Sequence, residues 1–173
     1  ELTMHADKAV AAAETYIGLV EFGVGLIPGG GGSKEMAMRA SDSFRKNDVE
    51  LNILQEYFLN IGMAKVATSA HEAFDLGIFK KEKDSIIIDK NSQIATAKSY
   101  AKLMSEQGYT KPLKRNEIKV LGKQALGMLL VGIDSMHAGK FISDHDQKIS
   151  NKLKKHNTLI DLSADFRLKN AKE

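Results

Sequence analysis

The sequence predicts a mixed α/β fold, with short alternating elements in the first third of the chain and helix through most of the rest. Two patterns carry this prediction. Short apolar runs at Ala9–Ala13, Tyr16–Val20 and Ser85–Asp89 have the length of buried strands and are bounded by polar or turn-forming residues. Longer stretches repeat apolar residues at helical spacing, most clearly Val49, Ile53, Leu54, Tyr57, Phe58 and Ile61 between Asp48 and Gly62.

Taken in order, residues 2–7 read as the tail of a helix. Glu1 is not preceded by an initiator Met, so the sequence is expected to begin partway through a domain. Two short strands follow, then a loop over Pro28–Gly32, with Ser33 as the expected N-cap of a helix reaching about Ala40. Asp48 is the expected cap of the next helix. The pattern Ser69-Ala-His-Glu-Ala-Phe-Asp-Leu-Gly77 reads as a capped helix ended by Gly77. The strand Ser85–Asp89 precedes a helix over Ser92–Gln107 that stops at Gly108. After a break at Tyr109–Pro112, helical stretches are expected from about Asn116 to Ile133 and, interrupted, from Asp134 to about Lys155.

Composition narrows the function classes. The 173 residues suffice for one domain with a real core. Lys and Arg number 25 against 22 Asp and Glu, a formal charge of +3 that is too small and too dispersed to argue for nucleic acid. Cysteine is absent, which excludes disulfides and thiolate chemistry and suits a cytoplasmic location. No apolar run reaches membrane-spanning length, so a soluble protein is expected. The five histidines show no spacing typical of a metal site. His5 lies one helical turn from Glu1, a pairing that reads first as a helix-surface contact. The stripe Met128–Ile133 reads as core or subunit contact before it reads as a lid over an acyl chain.

The four glycines at 29–32 invite two phosphate-binding motifs, and neither fits. Gly23-Val-Gly25 starts like a dinucleotide fingerprint, but Pro28 stands where the third glycine is needed. Gly32-Ser33-Lys34 reverses the Lys–Ser order of a P-loop. A flexible connection is the ordinary reading of such a run. The isolated carboxylate of Glu21, close to this backbone without side chains, is the sharper signal, and a helix entering from Glu1 with two strands after it can return Glu1 to the same place. Two positioned carboxylates divide acid and base duties when their environments separate their pKa values.

Several blocks of the chain resemble the crotonase (enoyl-CoA hydratase/isomerase) superfamily. They are Glu1-Leu, Ala6-Asp7, Ile17-Gly-Leu-Val-Glu21, Gly25 to Ser33 and Ala70-His-Glu-Ala-Phe-Asp-Leu-Gly77. Helices containing Gly132–Gly139 and Ile142–Asp146 are similar to those after the crotonase-like C-terminal part of bacterial proteins that join a 3-hydroxyacyl-CoA dehydrogenase to an enoyl-CoA hydratase. The resemblance covers about positions 1–150. It implies the C-terminal half of a crotonase-like ββα spiral followed by a mainly helical region: a partial core over 1–108, a helical extension over 109–152 and an atypical, foreign or disordered tail over 153–173.

The resemblance also implies a function. The enzyme expected is an enoyl-CoA hydratase, a lyase of fatty-acid β-oxidation, with Glu1 and Glu21 as catalytic residues and Gly29 and Gly30 as substrate-binding backbone. Its partner is an acyl-CoA thioester, with no nucleic acid, no membrane span and no cofactor in this chain. NAD would serve the parent's dehydrogenase part, and the parent would be a homo-oligomer. The family's oxyanion hole is expected upstream of Glu1, so the fragment alone is expected to be inactive. Retention of both glutamates favours hydration over the alternatives of isomerisation, thioester hydrolysis or a non-catalytic oligomerisation module. The stretch His156–Asn170 departs from this pattern and is similar to a block of N-acetyl-glutamyl-phosphate reductases, whose catalytic cysteine has no counterpart here. A fused or misassembled reading frame would explain it.

Overall fold

Strand and helix alternate early in the chain because apolar runs of only two or three residues pair before the next turn, whereas amphipathic periods of twelve residues or more dominate later. A computed structural model of the chain describes residues 1–113, 115 and 117–155. In order the elements are α1 (Leu2–His5), β1 (Val10–Ala12), β2 (Ile17–Gly18), a 3₁₀ turn (Glu21–Val24), α2 (Gly32–Ser43), α3 (Glu50–Gly62), β3 (Val66–Ala67), α4 (Ala70–Asp75) and β4 (Ser85–Ile87), followed by a second 3₁₀ turn (Lys90–Ser92), α5 (Gln93–Glu106), α6 (Gly122–Ala138) and α7 (Asp144–Lys155). The fold is mixed α/β and rich in helix. Its sheets are small: β1 runs parallel to β4 with Val10 opposite Ser85, and β2 runs antiparallel to β3 with Ile17 opposite Ala67.

The chain divides into two units, Glu1–Gly18 with Val66–Glu117, and Leu19–Lys65 with the described part of Ile118–Glu173. In the first, the Asp84 carboxylate ties down the start of the parallel pair, accepting Ala9 N–H and Lys80 N–H, each at 2.8 Å. Gln93 at the start of α5 donates to the Val10 carbonyl at 2.7 Å. The core of this unit is made of small residues, with Ala67, Ala70 and Ala73 fully buried beside Ile78 and Phe79. Phe74 and Phe79 meet edge to face at 5.6 Å.

In the second unit α2 packs on α3. Met36, Ala37 and Ala40 of α2 and Leu54, Phe58 and Ile61 of α3 are buried, and Ser43 Oγ meets Tyr57 Oη at 3.1 Å at the open end of the pair. Arg39 is also buried, with Glu35 one turn back at 3.6 Å. The α6–α7 pair buries Ala125, Leu129, Ile133 and Ile149.

Several local expectations change. The segment Tyr16–Val20 is not a continuous buried strand, because only Ile17–Gly18 pair and Tyr16 is 73% exposed. Ser33 does not cap α2. Gly31, at φ 96, takes that position, a left-handed conformation glycine adopts without strain, and Ser33 enters the buried first turn, its hydroxyl donating to the Pro28 carbonyl at 3.3 Å. Val49 precedes α3 in place of Asp48, with no side-chain cap. Helix α6 starts at Gly122 and runs through Asp134; the interruption falls at Gly139–Ser143, where Lys140 has φ 60. In the Met128–Ile133 stripe, Leu129 and Ile133 are core, whereas Met128 and Val131 are exposed. Asn116 and the tail from His156 lie outside the described residues. No helix among the described residues is long and apolar enough to cross a membrane.

Ile61 is fully buried, so Ile61→Ala is expected to cost about 2–5 kcal/mol through lost transfer energy and a residual cavity. The exposed Val49→Ala should change stability by no more than about 0.5 kcal/mol. Urea unfolding checks both, read as a shift in midpoint at constant slope.

Candidate functional site

Glu21 opens the 3₁₀ turn between β2 and α2 rather than ending a strand. The turn forms there because Phe22 is buried and pins it, while Gly25 ends it at φ 75. Gly25 N–H bonds the Phe22 carbonyl at 3.0 Å and Leu26 N–H bonds the Glu21 carbonyl at 2.9 Å. Gly23 is exposed, and a Cβ there would meet Cβ of Ala64 at 3.4 Å, an ordinary contact. Glu21 Oε2 is buried and accepts no hydrogen bond among the described residues. Leaving a buried carboxylate oxygen unmatched costs of order 1–3 kcal/mol or more.

The glycine run leads from this turn into α2. Gly29 and Gly30 are exposed, Gly31 caps the helix, and Glu35 N–H bonds the Gly31 carbonyl at 2.9 Å. From the far end of the sequence, His145 of α7 meets the Gly25 carbonyl through Nε2 at 2.8 Å. A carbonyl only accepts, so Nε2 carries the proton. Sequence reasoning missed this residue. Only packing of α7 in the same unit brings it to the turn, 120 positions away in the chain.

Of the four residues expected to form a site, Glu21, Gly29 and Gly30 share the second unit, and Glu1 belongs to the first. Glu1 precedes α1 without a side-chain cap bond, and its carbonyl accepts Met4 N–H at 3.1 Å and His5 Nδ1–H at 2.8 Å.

The first unit has a cleft of about 460 Å³ between the start of β1 and α5, with Val10, Ala97, Ala101 and Met104 as apolar wall and Tyr100 and Tyr109 as aromatic wall. Lys8, Tyr100, Asp7 and Tyr109 in its lining have partners inside the unit. Lys8 Nζ donates to the Lys83 carbonyl at 2.5 Å and sits 4.0 Å over the Tyr100 ring. The Lys83 ammonium reaches back to the Ala6 carbonyl. Tyr109 Oη donates to Asp7 Oδ2 at 2.7 Å, a bond that raises the phenol pKa above its ordinary value.

Two acidic groups of the second unit are shifted the other way. His137 Nε2–H bonds Asp144 at 2.7 Å and holds that carboxyl below the usual carboxylate range, with Lys148 adding a smaller attraction. Ser143, through hydroxyl and backbone N–H, does the same for Asp146.

Comparison with known proteins places this chain beside a longer one. It is 39% identical over 153 residues to the "Probable 3-hydroxyacyl-CoA dehydrogenase" of Bacillus subtilis (strain 168). The match covers 88% of this chain, and the chain spans 19% of the length of that relative. No family model matches, and no solved structure matches. The expectation of an enoyl-CoA hydratase, a lyase, is corrected by this finding: the relative matched along most of the chain is named as a dehydrogenase, an oxidoreductase.

The Tyr109–Asp7 bond makes a pH-dependent prediction. Asp7 accepts from the neutral phenol, so the contribution to stability is present below the unfolded tyrosine pKa of about 10 and is lost as pH rises through the higher folded value. In an ultraviolet phenolate titration, Asp7→Asn should move one of the four tyrosines to lower pKa. An unchanged titration curve would show that the bond is not formed in solution.

Proposed function

We propose that this chain is a segment of a longer protein that oxidises 3-hydroxyacyl-CoA thioesters with NAD in fatty-acid β-oxidation, and that the segment contributes acyl-CoA binding through the Glu21 turn. The observation that carries this reading is the 39% identity over 153 residues to a protein named for that activity. The unmatched Glu21 Oε2 beside exposed Gly29 and Gly30 supports the choice of site. Exposed glycine backbone admits a ligand closely, and a carboxylate oxygen beside it is free to accept a hydrogen bond from that ligand.

The glycine run at 23–32 does not fit NAD itself. A pyrophosphate grip needs a strand, a tight glycine turn and a helix start in succession. Here Gly23 and Gly25 lie in and just after a 3₁₀ turn, and Pro28 with the rest of a loop separates them from α2. NAD is therefore assigned to the remainder of the longer protein, where it would accept the hydride, and no role of these residues runs through it. The finer fold reading, that positions 1–108 are part of a crotonase-like spiral, is supported by the order of the blocks Ile17–Glu21, Gly25–Ser33 and Ala70–Gly77 and by the parallel pairing of β1 with β4. That fold hosts several chemistries, so it does not by itself choose one.

The full-length protein should reduce NAD when given 3-hydroxybutyryl-CoA, followed by NADH absorbance. Glu21→Gln should weaken its binding of acetoacetyl-CoA by roughly tenfold, measured by calorimetry, equivalent to about 1.4 kcal/mol. A full-length protein that makes no NADH, or a Glu21→Gln variant that binds like the parent, would count against the corresponding half of the proposal.

A further inference from the structure

The turn that presents Glu21 has used its own hydrogen bonds by the time it reaches Gly25. Gly25 N–H is bound to Phe22 and the Glu21 carbonyl to Leu26, which leaves the Gly25 carbonyl to be held from outside the turn. His145 Nε2–H meets it at 2.8 Å. The same contact leaves no room for a side chain at position 25. A Cβ at position 25 would fall 3.0 Å from Nε2 and 3.1 Å from Cδ2 of the imidazole, so the ring edge occupies the space of a side chain.

The imidazole is itself carried on a fixed platform. On one side Asp144 is bonded to His137 of α6 at 2.7 Å. On the other, Asp146 accepts the Ser143 hydroxyl at 2.7 Å and its N–H at 3.0 Å. One residue further, Gln147 Nε2 donates to Asp134 of α6 at 2.8 Å. The first turn of α7 is thus tied to α6 on both sides of His145.

We propose that His145 is a positioning residue for Glu21, holding the 3₁₀ turn so that the carboxylate is presented to the acyl-CoA thioester. This rests on the acyl-CoA reading of Glu21 given above. A side chain acting through another is recognised by coupling: its removal should matter when Glu21 is present and matter little when Glu21 is already disabled.

The test uses the full-length protein with acetoacetyl-CoA as probe. His145→Ala should weaken binding by roughly fivefold or more, within the range of direct couplings. His145→Gln, which restores an amide donor, should recover it to within about twofold, and His145→Ala should add less than about twofold in a Glu21→Gln background. A ligand-free readout accompanies it: amide hydrogen exchange of the peptide spanning Glu21–Leu26 should speed up in His145→Ala and return toward normal in His145→Gln. Unchanged exchange, or binding losses that multiply independently of Glu21, overturns the positioning role. If exchange responds while Glu21→Gln alone binds like the parent, the tie is upheld and the acyl-CoA assignment of Glu21 is overturned.

Discussion

Burial of the apolar face of α3 against α2 is the constraint on which the second unit depends. Leu54, Phe58 and Ile61 are removed from water together with Met36, Ala37 and Ala40, at roughly 1.5–3 kcal/mol for each large side chain. That packing leaves no freedom to rotate α2, so its N-terminal turn must carry Ser33 inward. Ser33 then holds the Pro28 carbonyl, and Gly31 has to adopt the left-handed conformation that lets the chain enter the helix at that angle. Phe22 adds a second anchor on the other side of the loop. The exposed glycines at 29 and 30 are suspended between two buried points, a geometry that keeps bare backbone accessible without leaving it unattached.

The first unit solves a different problem with smaller means. A parallel pair of three-residue strands is a weak element, since parallel sheets are ordinarily covered on both faces and isolated two-stranded ribbons are marginal. Asp84 compensates locally by binding two backbone N–H groups at the strand entry, and the lysines at 8 and 83 cross to carbonyls on each other's segments. None of the residues of α5 is buried, although the helix packs along β1. The cleft between them is bounded mainly by apolar and aromatic groups, and its charged neighbours are already engaged within the unit.

Legibility in the sequence followed the range of the interactions. Helix α4 was readable because its signals are all local: Ser69 Oγ accepts Glu72 N–H at 3.1 Å, Glu72 accepts Thr68 N–H at 2.7 Å, and Gly77 follows at φ 72. The cap of α2 was misread for a tertiary reason, since Ser33 is a good cap by propensity but is pulled into the core while glycine takes the cap. The interruption between α6 and α7 was placed too early because Asp134 resembles a cap, yet the real break follows Gly139, where Lys140 turns left-handed. At the candidate site, the proximity of Glu21 to the glycine run is a property of the chain and was readable there. The burial of its Oε2 and the reach of His145 across 120 positions depend on packing that no local pattern encodes.

The contrast between the two glycine-bearing readings of this region decides what the turn is suited for. A dinucleotide grip directs several backbone N–H groups from one helix start toward a pyrophosphate, and its neighbourhood is neutral or basic. Here the residue that opens the turn is a carboxylate with a buried, unmatched oxygen, an acceptor where a pyrophosphate grip would need N–H donors. The turn's own N–H groups at Gly25 and Leu26 point back into Phe22 and Glu21. Hydrogen-bond direction therefore argues against a dinucleotide grip at this turn, because the donors such a grip needs are already spent on the turn itself.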